Sequence, residues 1–425
     1  MKFITIKTIA AMSMFVLFSC DKDSCEYVTT QCEPLGNNTE QSGITVVTYN
    51  ADNPTDFVGA VYDTRNNASA PLGADWAPAL GTAVKITKPA DWVLSKIGRV
   101  FGIAMDKTAN VYLAASGVYG QNFMNTPYQN LVPGRIYKAT AGTYSTAPFV
   151  DLPMSYTSSS GSLNGIGNIA YDKINNQLFA SNLDDGKIYR ISMTGSILQT
   201  YDPWAADSGT PDITIQDERI WGIGVNYESG NVKLYFTRIT LPVTTLANRN
   251  LYSLTLNSSG AMPSSAPSLE IANLPGVAES ITDIEFSADT QKIILAERGD
   301  PHNAMAYSYN RSGNSWNSNT QYFVGGFTGK NSAGGVDFAF VGDDKTPVKC
   351  EEFIWASGNY LEAISVTSGR VYGLQGIKYS GNILATAPST DLFIDYNPPI
   401  YNFAQKGDIG DVDVFDADLC SCVSK

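Results

Sequence analysis

Few side chains in this sequence have both the type and the spacing that catalysis needs. The single histidine, His302, sits in Gly299-Asp300-Pro301-His302-Asn303, a stretch of turn formers. A nucleophile–histidine–acid relay needs sequence-distant partners for that imidazole, and the chain has no Gly-x-Ser-x-Gly elbow to present a serine. One histidine and scattered cysteines also fall short of the usual ligands of a zinc centre. His302 therefore reads as an ordinary loop residue. Glu297 and Asp300 could divide acid and base roles between two carboxyls. With Gly299 between them, they read better as part of a solvated loop. Asp184-Asp185-Gly186 and Gly342-Asp343-Asp344 read as turns, and Cys420-Ser421-Cys422 is too closely spaced for a redox Cys-x-x-Cys pair.

The most informative thiol lies near the start. Lys2 and Lys7 flank the entry to a mostly apolar run, Ile9 to Phe18, which is too short to span a bilayer. Leu17-Phe18-Ser19-Cys20 follows and resembles the lipobox of bacterial lipoproteins. That resemblance implies cleavage before Cys20 and a diacylglycerol on its thiol. The expected organisation is a signal peptide over 1–19, a lipidated tether over 20–44, a main domain over 45–419 and a cysteine-bearing tail over 420–425. With Cys20 acylated, Cys25, Cys32, Cys350, Cys420 and Cys422 remain, an odd number. Pairing of the Cys25/Cys32 region with Cys420 or Cys422 would tie the termini together, with the connectivity left open. The tether sequence CDKDSCEYVTTQCEPLG is similar to the acidic tethers of Bacteroidetes lipoproteins. This implies a lipid-anchored, outer-membrane location, facing outward rather than into the periplasm.

These residues must be positioned by a chain of 425 residues that is acidic and sparsely charged. It carries 28 basic and 41 acidic residues, with 16% charged overall. Losing Lys2 and Lys7 would make the net charge of -13 more negative still. Phosphate backbones need basic clusters, so nucleic acid is excluded as a partner. Abundant Gly, Ser, Thr, Asn and Tyr suit short strands joined by polar turns. One phrase recurs: a small or polar residue, an apolar–any–apolar run, a polar turn, then a second β-branched or aromatic run. Its best copy is Gly167 to Asp172, a turn at Asn175-Asn176, and Gln177 to Asn182. Asp185-Gly186 then leads into Lys187 to Ile191, and Thr194-Gly195 into Ser196 to Leu198. Four short strands in so few residues are the unit of a propeller blade. Phrase starts fall at 59, 102, 168, 222, 283, 335, 376 and 411. The expected fold is all-β, a single β-propeller of four-stranded blades, with seven blades preferred and six or eight allowed. Ile169, Ile223, Ile284, Phe286, Val336 and Phe338 are the expected inter-blade core, with Tyr137, Tyr189 and Tyr252 packed between sheets.

The segments GIGNIAYDKINNQLFASNLDDGKIYRISMTG and ESITDIEFSADTQKIILAERG resemble NHL-like and SMP-30/lactonase-like propellers. The resemblance implies Glu, Asn and Asp side chains converging on the axis from the ends of inner strands. By pattern, Asn168, Asp283, Glu297, Asp337 and Asp411 could offer hard oxygens to Ca²⁺, whose charge could polarise an ester or lactone carbonyl. The pattern departs from this at 102, 222 and 335, which are glycine, and Asp337 lies two residues past its start.

Long insertions between strands would form a broad loop face, on which Tyr119, Phe123, Tyr128 and Trp204 are candidate contact residues. The leading expectation is a non-enzymatic outer-membrane or cell-surface lipoprotein that binds a protein partner, less readily a glycan, in a membrane-associated assembly. The alternative is a Ca²⁺-dependent lactonase- or esterase-like hydrolase.

Overall fold

Each copy of the repeated phrase folds as an antiparallel pair closed by its polar turn. Ile166–Asp172 pairs with Gln177–Asn182, with Gln177 opposite Asp172 and Phe179 opposite Ala170. The Asp172 carboxylate accepts the N–H groups of Ile174 and Asn175, both at 3.0 Å, and thereby ties the turn to the strand end. Asn176 takes the left-handed conformation at φ 53°, which asparagine tolerates better than most residues. The hairpin then continues through Lys187–Ser192 to Ile197–Tyr201, completing a four-stranded sheet.

The computed structural model describes residues 32–33, 42–76, 84–117, 131–154, 165–204, 219–239, 249–276, 280–299, 302–326, 329–343, 346–361, 371–378, 390–395, 409–415 and 421–422. These form six four-stranded antiparallel sheets, named here from the innermost strand outward. The first blade contains Ile409–Val414, Ile44–Tyr49, Gly59–Asp63 and Lys85–Thr87. The second contains Val100–Met105, Val111–Ala115, Arg135–Ala139 and Thr146–Asp151. The sheet just described, from Ile166–Asp172 out to Ile197–Tyr201, is the third. The fourth holds Ile223–Glu228, Asn231–Ile239, Arg249–Thr255 and Ser268–Ile271. The fifth holds Ser280–Phe286, Lys292–Arg298, Ala306–Ser312 and Ser315–Tyr322, and the sixth Ser332–Asp343, Thr346–Leu361, Val371–Lys378 and Leu392–Asp395.

The chain is thus an all-β, six-bladed propeller, within the expected range and one blade short of the preferred count. The physical reason is local. Phrase starts at 102, 168, 283, 335 and 411 fall on inner strands and that at 222 immediately precedes one, whereas those at 59 and 376 fall on third strands. Third strands are also packed on both faces, so they carry the same small–apolar alternation. The ring closes in the first blade, where the last of the six inner strands pairs with Ile44–Tyr49 (Thr45 opposite Val414, Val47 opposite Val412).

Between successive blades lie six apolar clusters, one per interface. Ile169, Ile223, Ile284, Val336 and Phe338 are buried in them, and half-buried Phe286 packs on Tyr235 with ring centroids 4.8 Å apart. Tyr137 and Tyr189 are buried and Tyr252 is half-buried. Trp92 joins the first and second blades: its indole N–H donates to the Tyr144 carbonyl at 3.0 Å, and the two rings meet edge to face. Among the described residues, no helix is long and apolar enough to cross a membrane.

Candidate functional site

The inner strands bring two layers of side chains to the axis. Gly102, Asn168, Asp283, Gly335 and Asp411 hold equivalent places on five inner strands, and Gly222 immediately precedes the sixth, Ile223–Glu228. The backbones approach so closely here that a Cβ on Gly335 would lie 2.5 Å from the Val412 nitrogen, and one on Gly222 2.8 Å from the Thr282 carbonyl carbon. Two residues further along each strand stand Ala104, Ala170, Gly224, Glu285, Asp337 and Asp413. Alternation puts residues i and i+2 on one face of a strand, so Asp283 and Glu285 share a face, as do Asp411 and Asp413.

The first layer is packed shut. Asp283 accepts the N–H groups of Ile284 at 2.9 Å and Val336 at 2.8 Å, and the Asn168 amide at 3.3 Å. Asn168 also donates to the Thr282 carbonyl at 2.8 Å, reaching past the side-chain-free Gly222. Asp411 accepts the Ile103 N–H at 3.0 Å through Oδ2, while its buried Oδ1 has no donor. Burial raises the Asp283 pKa to about 7, against the hydrogen bonds it receives. Asp411 is pushed well up, first by burial and then by Asp283. A single proton held between the two carboxyls accounts for both and supplies the missing donor.

The second layer opens. A cavity of about 270 Å³ lies at the C-terminal ends of the inner strands. Glu285, Asp337 and Asp413, from three consecutive blades, form one side, and Ala104 and Ala170 stand opposite. Asp337 is fixed by the N–H groups of Phe338 and Val414, both at 2.6 Å. Glu285 and Asp413 are half-buried. Burial drives the Glu285 pKa well above the usual carboxylate range, and the charges of Asp337, Asp283, Asp413 and Asp411 push it further. The axis is stoppered at its other end. There the Arg298 guanidinium donates to the carbonyls of Ala333 and Ile409 and lies 5.4 Å from the Phe101 ring centroid.

Of the five residues expected to hold calcium, Asn168, Asp283 and Asp411 meet in the first layer. Asp337 stands one layer further along, and Glu297 is elsewhere. It lies on a second strand, fully buried, paired with Arg249 and accepting the Met305 N–H at 2.9 Å. In the first layer nearly every oxygen is already committed to an N–H group, whereas calcium takes six to eight. Among the described residues, no three His, Cys, Asp or Glu side chains are disposed to hold a metal ion. The expected set therefore does not fit the ion. Glu285 and Asp413 went unmarked in the sequence reading, although the Asp-x-Glu and Asp-x-Asp spacing was a signal that could have found them.

Trp204 is buried beside Phe236 and Tyr252 with the Arg238 guanidinium 4.2 Å from its ring centroid, so it packs a blade interface rather than facing a partner. Tyr119, Phe123 and Tyr128 lie outside the described residues, as do Cys20, Cys25, Cys420 and Asp300. His302 sits at φ 74° with Nδ1 2.6 Å from Asn331 Oδ1 and its ring edge-on to Tyr360.

No protein-family model matches the chain, and no curated protein is similar to it. Several solved structures share its course. A chain of a nidogen/laminin complex has a TM-score of 0.48 at 10% identity, covering 87% of this chain and 97% of that one. A gluconolactonase from Xanthomonas campestris has a TM-score of 0.45 at 12% identity, with coverages of 85% and 95%. A calcium-binding protein, regucalcin, from Agrobacterium tumefaciens has a TM-score of 0.40 at 10% identity, with coverages of 81% and 94%. These are likenesses of fold alone.

Two expectations are corrected here. The non-enzymatic, protein- or glycan-binding reading is withdrawn: the one proposed contact residue that is described, Trp204, is buried. The outward-facing outer-membrane location is withdrawn as well.

Proposed function

We propose that this propeller is a hydrolase of the lactone- or ester-cleaving class, with its reaction in the axial cavity beside Glu285, Asp337 and Asp413. The observation that carries the reading is the cavity wall on which Glu285 stands with Asp337 and Asp413, where burial and the neighbouring carboxyls raise the proton affinity of Glu285. Carboxyls whose environments separate their proton affinities are suited to acid and base roles in one site. In this scheme Asp413 takes a proton from water as the water oxygen adds to the substrate carbonyl. Glu285 gives its proton to the departing alkoxide oxygen as the carbon–oxygen bond breaks. Asp337, held by two backbone N–H groups, stands in a fixed position beside them.

Calcium is varied in the test, and no step is assigned to it.

The test is hydrolysis of a panel of lactones and aryl esters by the full chain, with and without added calcium and chelator. Glu285→Gln and Asp413→Asn should each lower kcat/KM by about 100-fold or more. A full chain that cleaves none of the panel above the buffer rate under any of these conditions removes the proposal.

A further inference from the structure

The two chain ends leave the ring together. Beyond the paired strands of the first blade, the Phe415 N–H donates to the Ile44 carbonyl at 2.9 Å and the Gly43 N–H to the Phe415 carbonyl at 2.8 Å. Further out, Cys32–Glu33 and Ser421–Cys422 form a separate two-stranded antiparallel sheet. Its register places Cys32 directly opposite Cys422, and Glu33 opposite Ser421. Directly opposed residues of antiparallel strands have Cα atoms roughly 4.5 to 5.5 Å apart. A disulfide requires about 4.4 to 6.8 Å. Of the pairings left open by five cysteines, this register favours one.

We propose that Cys32 and Cys422 form a disulfide that locks the ring. The thiolate of one attacks a disulfide of a thiol–disulfide oxidant, giving a mixed disulfide. The thiolate of the other then displaces the oxidant. One sulfur–sulfur bond forms in the propeller, one is lost from the oxidant, and the oxidant leaves as two thiols carrying the two protons. Among the described residues, the ring is closed without a covalent bond, by pairing of Ile409–Val414 with Ile44–Tyr49 and the hydrogen bonds around it. A bond from 32 to 422 encloses almost the whole chain, and long closed loops constrain the unfolded ensemble most.

The full chain, isolated from an exporting host with free thiols alkylated at lysis, is digested under non-reducing conditions with trypsin and a glutamate-specific protease. Cleavage after Glu26 and Glu40 releases residues 27–40, whose one cysteine is Cys32, since the Glu33–Pro34 bond resists the protease. The expected mass is that peptide joined to the C-terminal fragment beginning at Gly407, in the unchanged protein and in Cys420→Ser. In Cys422→Ser the link is absent and Cys32 carries the alkyl group. Cys32→Ser/Cys422→Ser should melt about 5 °C lower than the unchanged protein, a difference abolished by reductant. Alkylated Cys32 in the unchanged protein, a link from Cys32 to Cys25 or Cys350, or a link that survives Cys422→Ser would overturn the proposal.

Discussion

Glu285 and the Asp283–Asp411 pair, which shares one proton, are carboxyls whose proton affinity the fold raises. Each binds its proton more tightly folded than unfolded, so the folded state carries more protons between the ordinary carboxylate range, near 4, and the raised value, about 7 for Asp283. Their contribution to stability is therefore full at low pH and is lost as pH rises through that window. Calorimetric melting should show a higher midpoint at pH 5 than at pH 8, and Glu285→Gln should narrow the gap. Glu297 obeys a different logic. It is fully buried against Arg249, so Glu297→Gln leaves a buried guanidinium with a neutral partner and should cost about 3 kcal/mol in denaturant unfolding. Calcium binding measured by calorimetry should be unaffected by that change, because Glu297 does not reach the axis. Asp283 and Asp411 could be picked out from their place at the start of a repeated phrase. Glu285 and Asp413, two residues on and one layer further along, went unmarked although the same alternation points to them, and which residues face a cavity depends on those opposite. Ala104 and Ala170 leave the space that Glu285 and Asp413 border.

The inner strands are held to one another largely by side chains bonding to a neighbouring backbone. Asp411 receives Ile103 from the second blade, Asp283 receives Val336 from the sixth, and Asp337 receives Val414 from the first. Glycines complete this arrangement by letting strands approach where a side chain would collide. Gly335→Ala would place a methyl group 2.5 Å from the Val412 nitrogen, and the obstacle is backbone rather than a movable side-chain end. Urea unfolding should show a loss of about 1 to 3 kcal/mol, the usual cost of overpacking. The strands themselves were legible because polar turns punctuate short apolar runs, as in Ile166–Asp172 and Gln177–Asn182. Strand rank was not. Gly59 and Gly376 open phrases like those of the inner strands, yet both lie on third strands, since both ranks are packed on two faces.

The molecule closes by borrowing its innermost first-blade strand from residues 409–414. A chain ending at residue 408 would lack that strand, and with it the carboxylate of Asp411 and the partner of Asp337. It should lose the cooperative melting transition of the whole ring, not merely one blade's share of signal. By itself, the sequence determined the all-β class, the four-stranded unit and most of the inter-blade core, because alternation and turn chemistry act over a few residues. Only the tertiary structure decided the blade count, the placement of Glu297 away from the axis, the pairing of Cys32 with Cys422 in register, and the acidic cavity. Each of these depends on which distant strands meet around a common centre. The local pattern of strands and turns is compatible with more than one such ring.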